Sequence, residues 1–308
     1  MSFNRALIVM KSYLGDTVMA SPLVRGVAKH SKAMDIFGSP IVEPILRYPD
    51  FRIRVHDPGD LSRLPQLWKA AMQVRQGHYD IAFVVNRSFR SALLVRLAGI
   101  KARVGHTTEG RGFLLNERVP YESEKNEAEC YLDLLSATGH SFDLDERLPS
   151  LWISPEEKVI ASQLLEGGSI GIQPGARHEY KQIPTHVLRE VGQGLIDRGH
   201  KLVFVGGPEE EPAVQALGLP GVSLVGKTSL RESMAVLANL KLVIGGDTGV
   251  MHLAAGVGAP TITVFGPTPA RKWGWFRPPH QVIEAPDRMI GNVTPDAIVE
   301  AVQRIECA

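Results

Sequence analysis

Short apolar runs alternate along the chain with longer segments whose apolar residues recur every three or four positions. The runs cover residues 6–10, 81–85, 169–173, 202–205, 242–244 and 261–265, and each is followed at once by Lys, Asn, Pro or Gly. Continuous apolarity over so few residues, closed by a turn former, predicts strands buried on both faces of parallel sheets. Helices are predicted between them over 18–29, 88–97, 127–138, 156–165, 184–197 and 230–238, where Met234, Leu237 and Ala238 form the inner stripe of the last. A final helix over 294–305 opens on Thr294 as N-cap with Pro295 in its first turn. Strand and helix in alternation specify the α/β class. Residues 139–155 break the rhythm, with two prolines, several acids and no period. They place the boundary between a first domain over 1–150 and a second over 151–308, from which the last helix is free to pack back on the first.

Composition narrows the function classes. A chain of 308 residues accommodates two ordinary domains. Thirty-four Lys and Arg against thirty-three Asp and Glu leave a formal +1, which excludes a general nucleic-acid binder. Charge is nevertheless uneven: residues 87–111 carry Arg87, Arg90, Arg96, Lys101, Arg103 and Arg111 against the single acid Glu109, a local +5. An anionic partner would meet the chain there, unless the run is simply a solvated surface. Cys130 and Cys307 have neither zinc-site spacing nor a disulfide framework, which fits a reducing cytoplasm. No apolar run approaches the roughly 18 residues of a spanning helix, and the first ten residues read as a strand rather than a signal peptide.

Three strand-to-helix junctions concentrate groups capable of chemistry. After the first strand come Lys11, Ser12, Tyr13, Leu14, Gly15, Asp16 and Thr17. Gly15 allows close backbone approach, and Asp16 is either a general base in a crevice or the cap of the following helix. After 242–244 come Gly245, Gly246, Asp247, Thr248 and Gly249, with His252 one helical turn beyond Thr248. The helix start there suits a phosphate or pyrophosphate, although capping and packing roles stay open for these side chains. Pro174, Gly175, Ala176, Arg177 and Lys181 follow a third strand, and both cations could reach an anion. Glu209 or Glu210, beyond Gly206 and Gly207, is placed to accept ribose hydroxyls or to favour a helix start. Asp143, Leu144 and Asp145 match a D-x-D metal pattern, but in the aperiodic linker without a preceding strand. No dinucleotide fingerprint, phosphate-binding loop or nucleophile elbow is present.

Taken in order, Ser-x-x-Gly-Asp at 12–16, Pro-Gly-Ala-Arg-x-x-x-Lys at 174–181, Gly-Asp-Thr-Gly-Val-Met-His-Leu-Ala-Ala at 246–255 and Phe-Gly-Pro-Thr at 265–268 resemble glycosyltransferase family 9, the lipopolysaccharide heptosyltransferases. The resemblance implies the glycosyltransferase B fold, two Rossmann-like domains facing across a cleft, the first binding the acceptor and the second the nucleotide-sugar. It implies inverting, metal-independent transfer of heptose from ADP-heptose to a lipopolysaccharide inner-core acceptor, with no cofactor. The partners are then the donor and an anionic glycolipid, in the cytoplasm or at the cytoplasmic face of the inner membrane. Asp16 matches the family base and Lys181 the lysine at the donor phosphate. Gly15, Arg177, Asp247, Thr248, Gly249, His252 and Glu209, or else Glu210, match the donor site. Arg87, Arg90 and Arg111 would hold the acceptor's anionic groups, and residues 273–276, with two Trp, would pack between domains or at the rim. Gly175 and Ala176 stand where relatives often carry hydroxyl residues. A nucleotide-sugar epimerase of the same fold and a non-catalytic nucleotide-binding module are the rival readings.

Overall fold

The computed structural model describes residues 2–11, 13–57, 59 and 61–307. The chain forms two compact units, Met1–Trp152 and Ile153–Ala308. In the first, strands β1 (Phe3–Val9), β2 (Ser31–Phe37), β3 (Ile53–His56), β4 (Ile81–Val84), β5 (Ala102–His106) and β6 (Glu117–Val119) alternate with helices. These are α1 (Leu14–Met19), α2 (Ser21–Lys29), α3 (Val42–Ile45), α4 (Leu64–Gln76), α5 (Phe89–Leu97) and α6 (Glu127–Ser136). The second unit contains α7 (Pro155–Leu164), β7 (Ile170–Ile172), α8 (Thr185–Asp197), β8 (Leu202–Phe204), α9 (Glu211–Leu217), β9 (Val222–Ser223) and α10 (Leu230–Ala238). It continues with β10 (Leu242–Gly246), α11 (Gly249–Gly256), β11 (Thr261–Phe265), α12 (Ala270–Trp273), β12 (Gln281–Glu284) and α13 (Pro295–Glu306).

Each unit is built on a six-stranded parallel sheet, ordered β3-β2-β1-β4-β5-β6 in the first and β12-β11-β10-β7-β8-β9 in the second. Both orders reverse direction next to the unit's first strand, between β1 and β4 and between β7 and β10. This is the Rossmann arrangement, in which ligands collect beyond the carboxyl ends of the strands at the reversal. Main-chain bonds close the reversals on each side: Asn86 N–H donates to Val9 at 3.0 Å, and Gln173 N–H to Ile244 at 2.9 Å. The expected strands form the centres of these sheets and their side chains form the cores, with Leu7, Val9, Ala82 and Val84 in one and Ile170, Ile172, Leu242 and Ile244 in the other.

The departures from expectation follow the same physics. The single helix expected over 18–29 is two, because the chain bends at Ala20 and Pro22 occupies the first turn of α2. The extra helix α1 carries Asp16 in its own first turn. Strands β2, β3, β5, β6, β9 and β12 lack the long apolar runs of the sheet centre; the first three of the seven positions of β2 are exposed or half-buried, and β5 contains Arg103 and His106. Helix α13 lays Ile298, Ala301 and Val302 on α8, β11 and β12 of its own unit. Replacing Ile244, fully buried at the centre of β10, with Ala is expected to lower stability by about 2–5 kcal/mol through lost contact and a residual cavity. Urea unfolding measures it, and an unchanged midpoint would contradict the packing described.

Candidate active site

In the second unit the functional side chains gather where β7, β10 and β11 end. Gly246 closes β10, and a Cβ at this position would lie 2.1 Å from the main-chain oxygen of Lys181, so only glycine lets the two segments touch. That contact brings Lys181 to Asp247: the ammonium donates to Asp247 Oδ2 at 2.6 Å. Thr268, from the turn after β11, donates to the same oxygen at 2.8 Å. His252, one turn into α11, presents Nε2 at 3.6 Å from Asp247 Oδ1. The indole N–H of Trp275 donates to His252 Nδ1 at 3.2 Å, which assigns the imidazole proton to Nε2, facing the carboxylate. Burial alone would raise the Asp247 carboxyl; the neighbouring His252 imidazole and the charge and hydrogen bond of Lys181 outweigh it and hold the group well below the usual carboxylate range.

Thr248 is the N-cap residue of α11 but its side chain makes no capping bond. Its hydroxyl instead donates to Gln173 Oε1 at 3.3 Å, so that among the described residues the first N–H groups of α11, which begins at Gly249, have no side-chain acceptor. Gln173 also donates to the Gly175 carbonyl and, at 2.7 Å, to Glu210 Oε1. Glu210 is buried, whereas Glu209 beside it is exposed. Gly206, at φ +151°, has no room for a Cβ because Glu210 Oε2 fills that position. Burial, reinforced by the neighbouring charge of Glu209 and opposed by the Gln173 bond, pushes Glu210 up to about 7. Of the two acids, the exposed carboxylate at this rim is thus Glu209, and Glu210 braces the rim from beneath. Arg177 is exposed, ahead of a short 3-10 turn, Glu179–Lys181.

The first unit concentrates charge at the end of β1. Asp16 Oδ1 accepts two hydrogen bonds, from the Lys11 ammonium at 2.9 Å and from the Tyr131 hydroxyl at 2.9 Å. Lys11 in turn donates to Glu127 Oε1 at 2.9 Å, and the Tyr121 hydroxyl donates to Glu127 Oε2 at 2.8 Å. Glu127 is fully buried at the start of α6, and Tyr131 lies one turn further along the same face. Burial and the charges of Asp16 and Glu127 raise the Tyr131 phenol well above its ordinary value, so it stays a donor. Among the described residues, Asp16 Oδ2 accepts no hydrogen bond. Asp16 makes no N-cap contact of its own, since Tyr13 occupies that position. Gly15 sits in the first turn of α1, and Ser12 of the motif lies outside the described residues.

The basic run divides into two kinds of residue. Arg87 stacks on the Tyr121 ring, 3.9 Å from its centroid, and Arg90 is exposed on α5. Arg111 does not face a ligand. It is fully buried and donates to the carbonyls of His106 at 2.8 Å, Ser88 at 3.0 Å, Val84 at 3.5 Å and Asn86. Its charge is taken up by main-chain oxygens of β4, the β4–α5 connection and the end of β5, which replaces the acceptor contact expected from the charge run. Trp275 packs on His252 inside its own unit, while Phe276 is exposed. Asp145 opens a 3-10 turn, Asp145–Arg147, and among the described residues no group of three or more His, Cys, Asp or Glu could hold a metal. Glu127, Tyr121 and Tyr131 escaped the sequence reading, whereas Lys11, Gln173, Thr268 and Trp275 lie within segments it singled out, but the contacts they make were not foreseen. A polar residue at the start of an otherwise amphipathic helix, as with Glu127, was the one available signal.

The buried Glu210 carboxyl generates a stability prediction. Its folded value near 7 exceeds its unfolded value, for which 4.5 is the ordinary figure. As pH rises through that interval the unfolded chain loses its proton first, so the group withdraws stability. Glu210→Gln is therefore expected to gain melting temperature relative to the native chain progressively between about pH 5 and pH 8. Parallel melting curves across that range would contradict the assignment.

Comparison with known proteins identifies the family and the fold. The family model described as glycosyltransferase family 9 (heptosyltransferase) matches residues 67–290. Lipopolysaccharide heptosyltransferase 2 of Escherichia coli K12 is 29% identical over 290 residues, covering 86% of this chain and 83% of that protein. The solved E. coli ADP-heptose lipopolysaccharide heptosyltransferase II superposes with a TM-score of 0.82 at 25% identity, covering 98% of each chain. An E. coli heptosyltransferase solved with ADP shares the fold at a TM-score of 0.74 and 21% identity, covering 98% of this chain and 99% of that one. The twin parallel sheets are those of the glycosyltransferase B fold, and the chain belongs to glycosyltransferase family 9, the heptosyltransferases.

Proposed function

We propose that this glycosyltransferase moves heptose from ADP-heptose to a lipopolysaccharide inner-core acceptor with inversion at the anomeric carbon, without an essential metal, and that it does so in the cytoplasm. The observation that carries the reading is the state of Asp16. Lys11 and Tyr131 fix one carboxylate oxygen and leave the other open, the arrangement a general base requires. On this reading Oδ2 takes the proton of the acceptor hydroxyl as that oxygen attacks the anomeric carbon, a contribution of about 10²- to 10⁴-fold. The bond to the β-phosphate oxygen breaks, and negative charge grows on ADP.

That charge is met in the second unit. Lys181 can turn to the departing phosphate because Thr268 and His252 continue to hold Asp247. The open N–H groups at the start of α11 and the exposed Arg177 add to the positive field. These groups supply the role a divalent cation fills in metal-dependent transferases. The ribose hydroxyls meet Glu209, braced from beneath by Glu210, and Thr248, Gly249 and His252 complete the donor site. Arg87 and Arg90 stand at the end of β4 for the phosphates and carboxylates of a glycolipid. Among the described residues no helix is long and apolar enough to cross a membrane; on this reading any contact with the bilayer is made through the acceptor.

Turnover of ADP-heptose with a defined core acceptor tests the assignment, and product analysis without acceptor separates it from epimerisation. Asp16→Asn is expected to lower kcat by at least about a hundredfold while ADP affinity by calorimetry stays unchanged, and Tyr131→Phe to lower kcat with little change in KM. Near-native turnover of Asp16→Asn would remove it as the base. Lys181→Ala is expected to weaken ADP binding and slow transfer together; native affinity and rate would take Lys181 out of the donor site.

A further inference from the structure

The first unit holds a cavity of about 830 Å³ that has no part in the reaction proposed above. It opens over the first halves of β2 and β3, between residues 31–35 and 53–54. Asp16 and Asn86 instead follow the carboxyl ends of β1 and β4. In a parallel sheet these are opposite rims, so the cavity is separate from the residues around Asp16.

Its lining is chemically selective. Lys32, Arg47, Arg52 and Arg54 surround it, and among the described residues none of them forms an ion pair. Asp35 is already neutralised by Arg5, at 2.7 Å, and receives the Tyr79 hydroxyl at 2.6 Å. Two further acids, Glu43 and Asp50, leave the lining net positive. Arg5 Nε and Ser31 Oγ, on lining residues, are buried and have no hydrogen-bond partner, and a buried donor without an acceptor costs roughly 1–3 kcal/mol. Tyr48 and Phe51 stack at 4.8 Å on one side. The volume is in the range of roughly 300–1,000 Å³ typical of organic ligands and far exceeds what a bare inorganic anion fills.

We propose that this cavity is a second, non-catalytic ligand site for a small organic phosphate. The phosphate oxygens take the arginine forks, which match that geometry bidentately, and the body of the ligand lies against Tyr48 and Phe51. A soluble phosphate ester and a phospholipid headgroup share this chemistry.

Calorimetric titration of the full chain with phenyl phosphate, in saturating ADP so that the donor site is filled, tests the proposal. One additional site is expected, weakened about tenfold or more by the double variant Arg52→Ala/Arg54→Ala, while transfer activity and melting temperature hold. Absence of binding, or equal binding by the variant, overturns it. Vesicles of phosphatidylcholine containing phosphatidic acid separate the two sources. Displacement of phenyl phosphate by them supports the site with a headgroup as ligand, and retained binding in their presence supports it with a soluble ester.

Discussion

The architecture depends on one topological constraint, the reversal of strand order beside the first strand of each sheet. Connections from neighbouring strands leave toward opposite faces there, so no crossover helix seals the strand ends. Asp16 follows β1, Arg87 follows β4, Lys181 follows β7, and Asp247 and His252 follow β10, the four strands that flank the reversals. Their chemistry is varied, but their placement has this single cause. The hydrophobic strands beneath hold the turns still, and small residues at contact points such as Gly246 let the turns approach each other.

The two rims solve the same electrostatic problem in different ways. A charge withdrawn from water must be met by a partner, and a partner usually quenches its reactivity. At Asp16 the partners crowd one oxygen and spare the other, with Glu127 behind Lys11 balancing the ammonium. At Asp247 both oxygens are engaged, through Lys181, Thr268 and His252, and the redundancy leaves Lys181 exchangeable. The first arrangement keeps a lone pair available; the second keeps a cation available.

Much of this was legible in the sequence because it is local. Continuous apolar runs mark the central strands, and Gly-Asp or Gly-Gly-Asp-Thr directly after a run marks the turn that carries chemistry. The outer strands were hidden because polar residues break into their apolar positions, as Ser31 and Lys32 do at the start of β2. The residues that tune Asp16 were hidden for a different reason: Lys11 is adjacent, but Glu127 and Tyr131 approach from more than a hundred positions away, and their meaning appears only when α6 packs beside α1. Arg111 shows the converse. Its place in a basic run suggested a surface, and burial turned it into scaffold.

That scaffold role has a consequence for recognition. A guanidinium joined to the carbonyls of Val84, Asn86, Ser88 and His106 freezes the turn from which Arg87 and Arg90 project. The entropy of ordering that turn is then lost during folding rather than when a partner arrives. Arg103, likewise buried on the carbonyls of Ile100, Lys101 and Leu114, removes a second charge from the surface. What looked in sequence like a broad positive field is a rigid mount for Arg87 and Arg90, and on the acceptor role proposed for them such a mount would discriminate among anions by shape more than attract them from a distance.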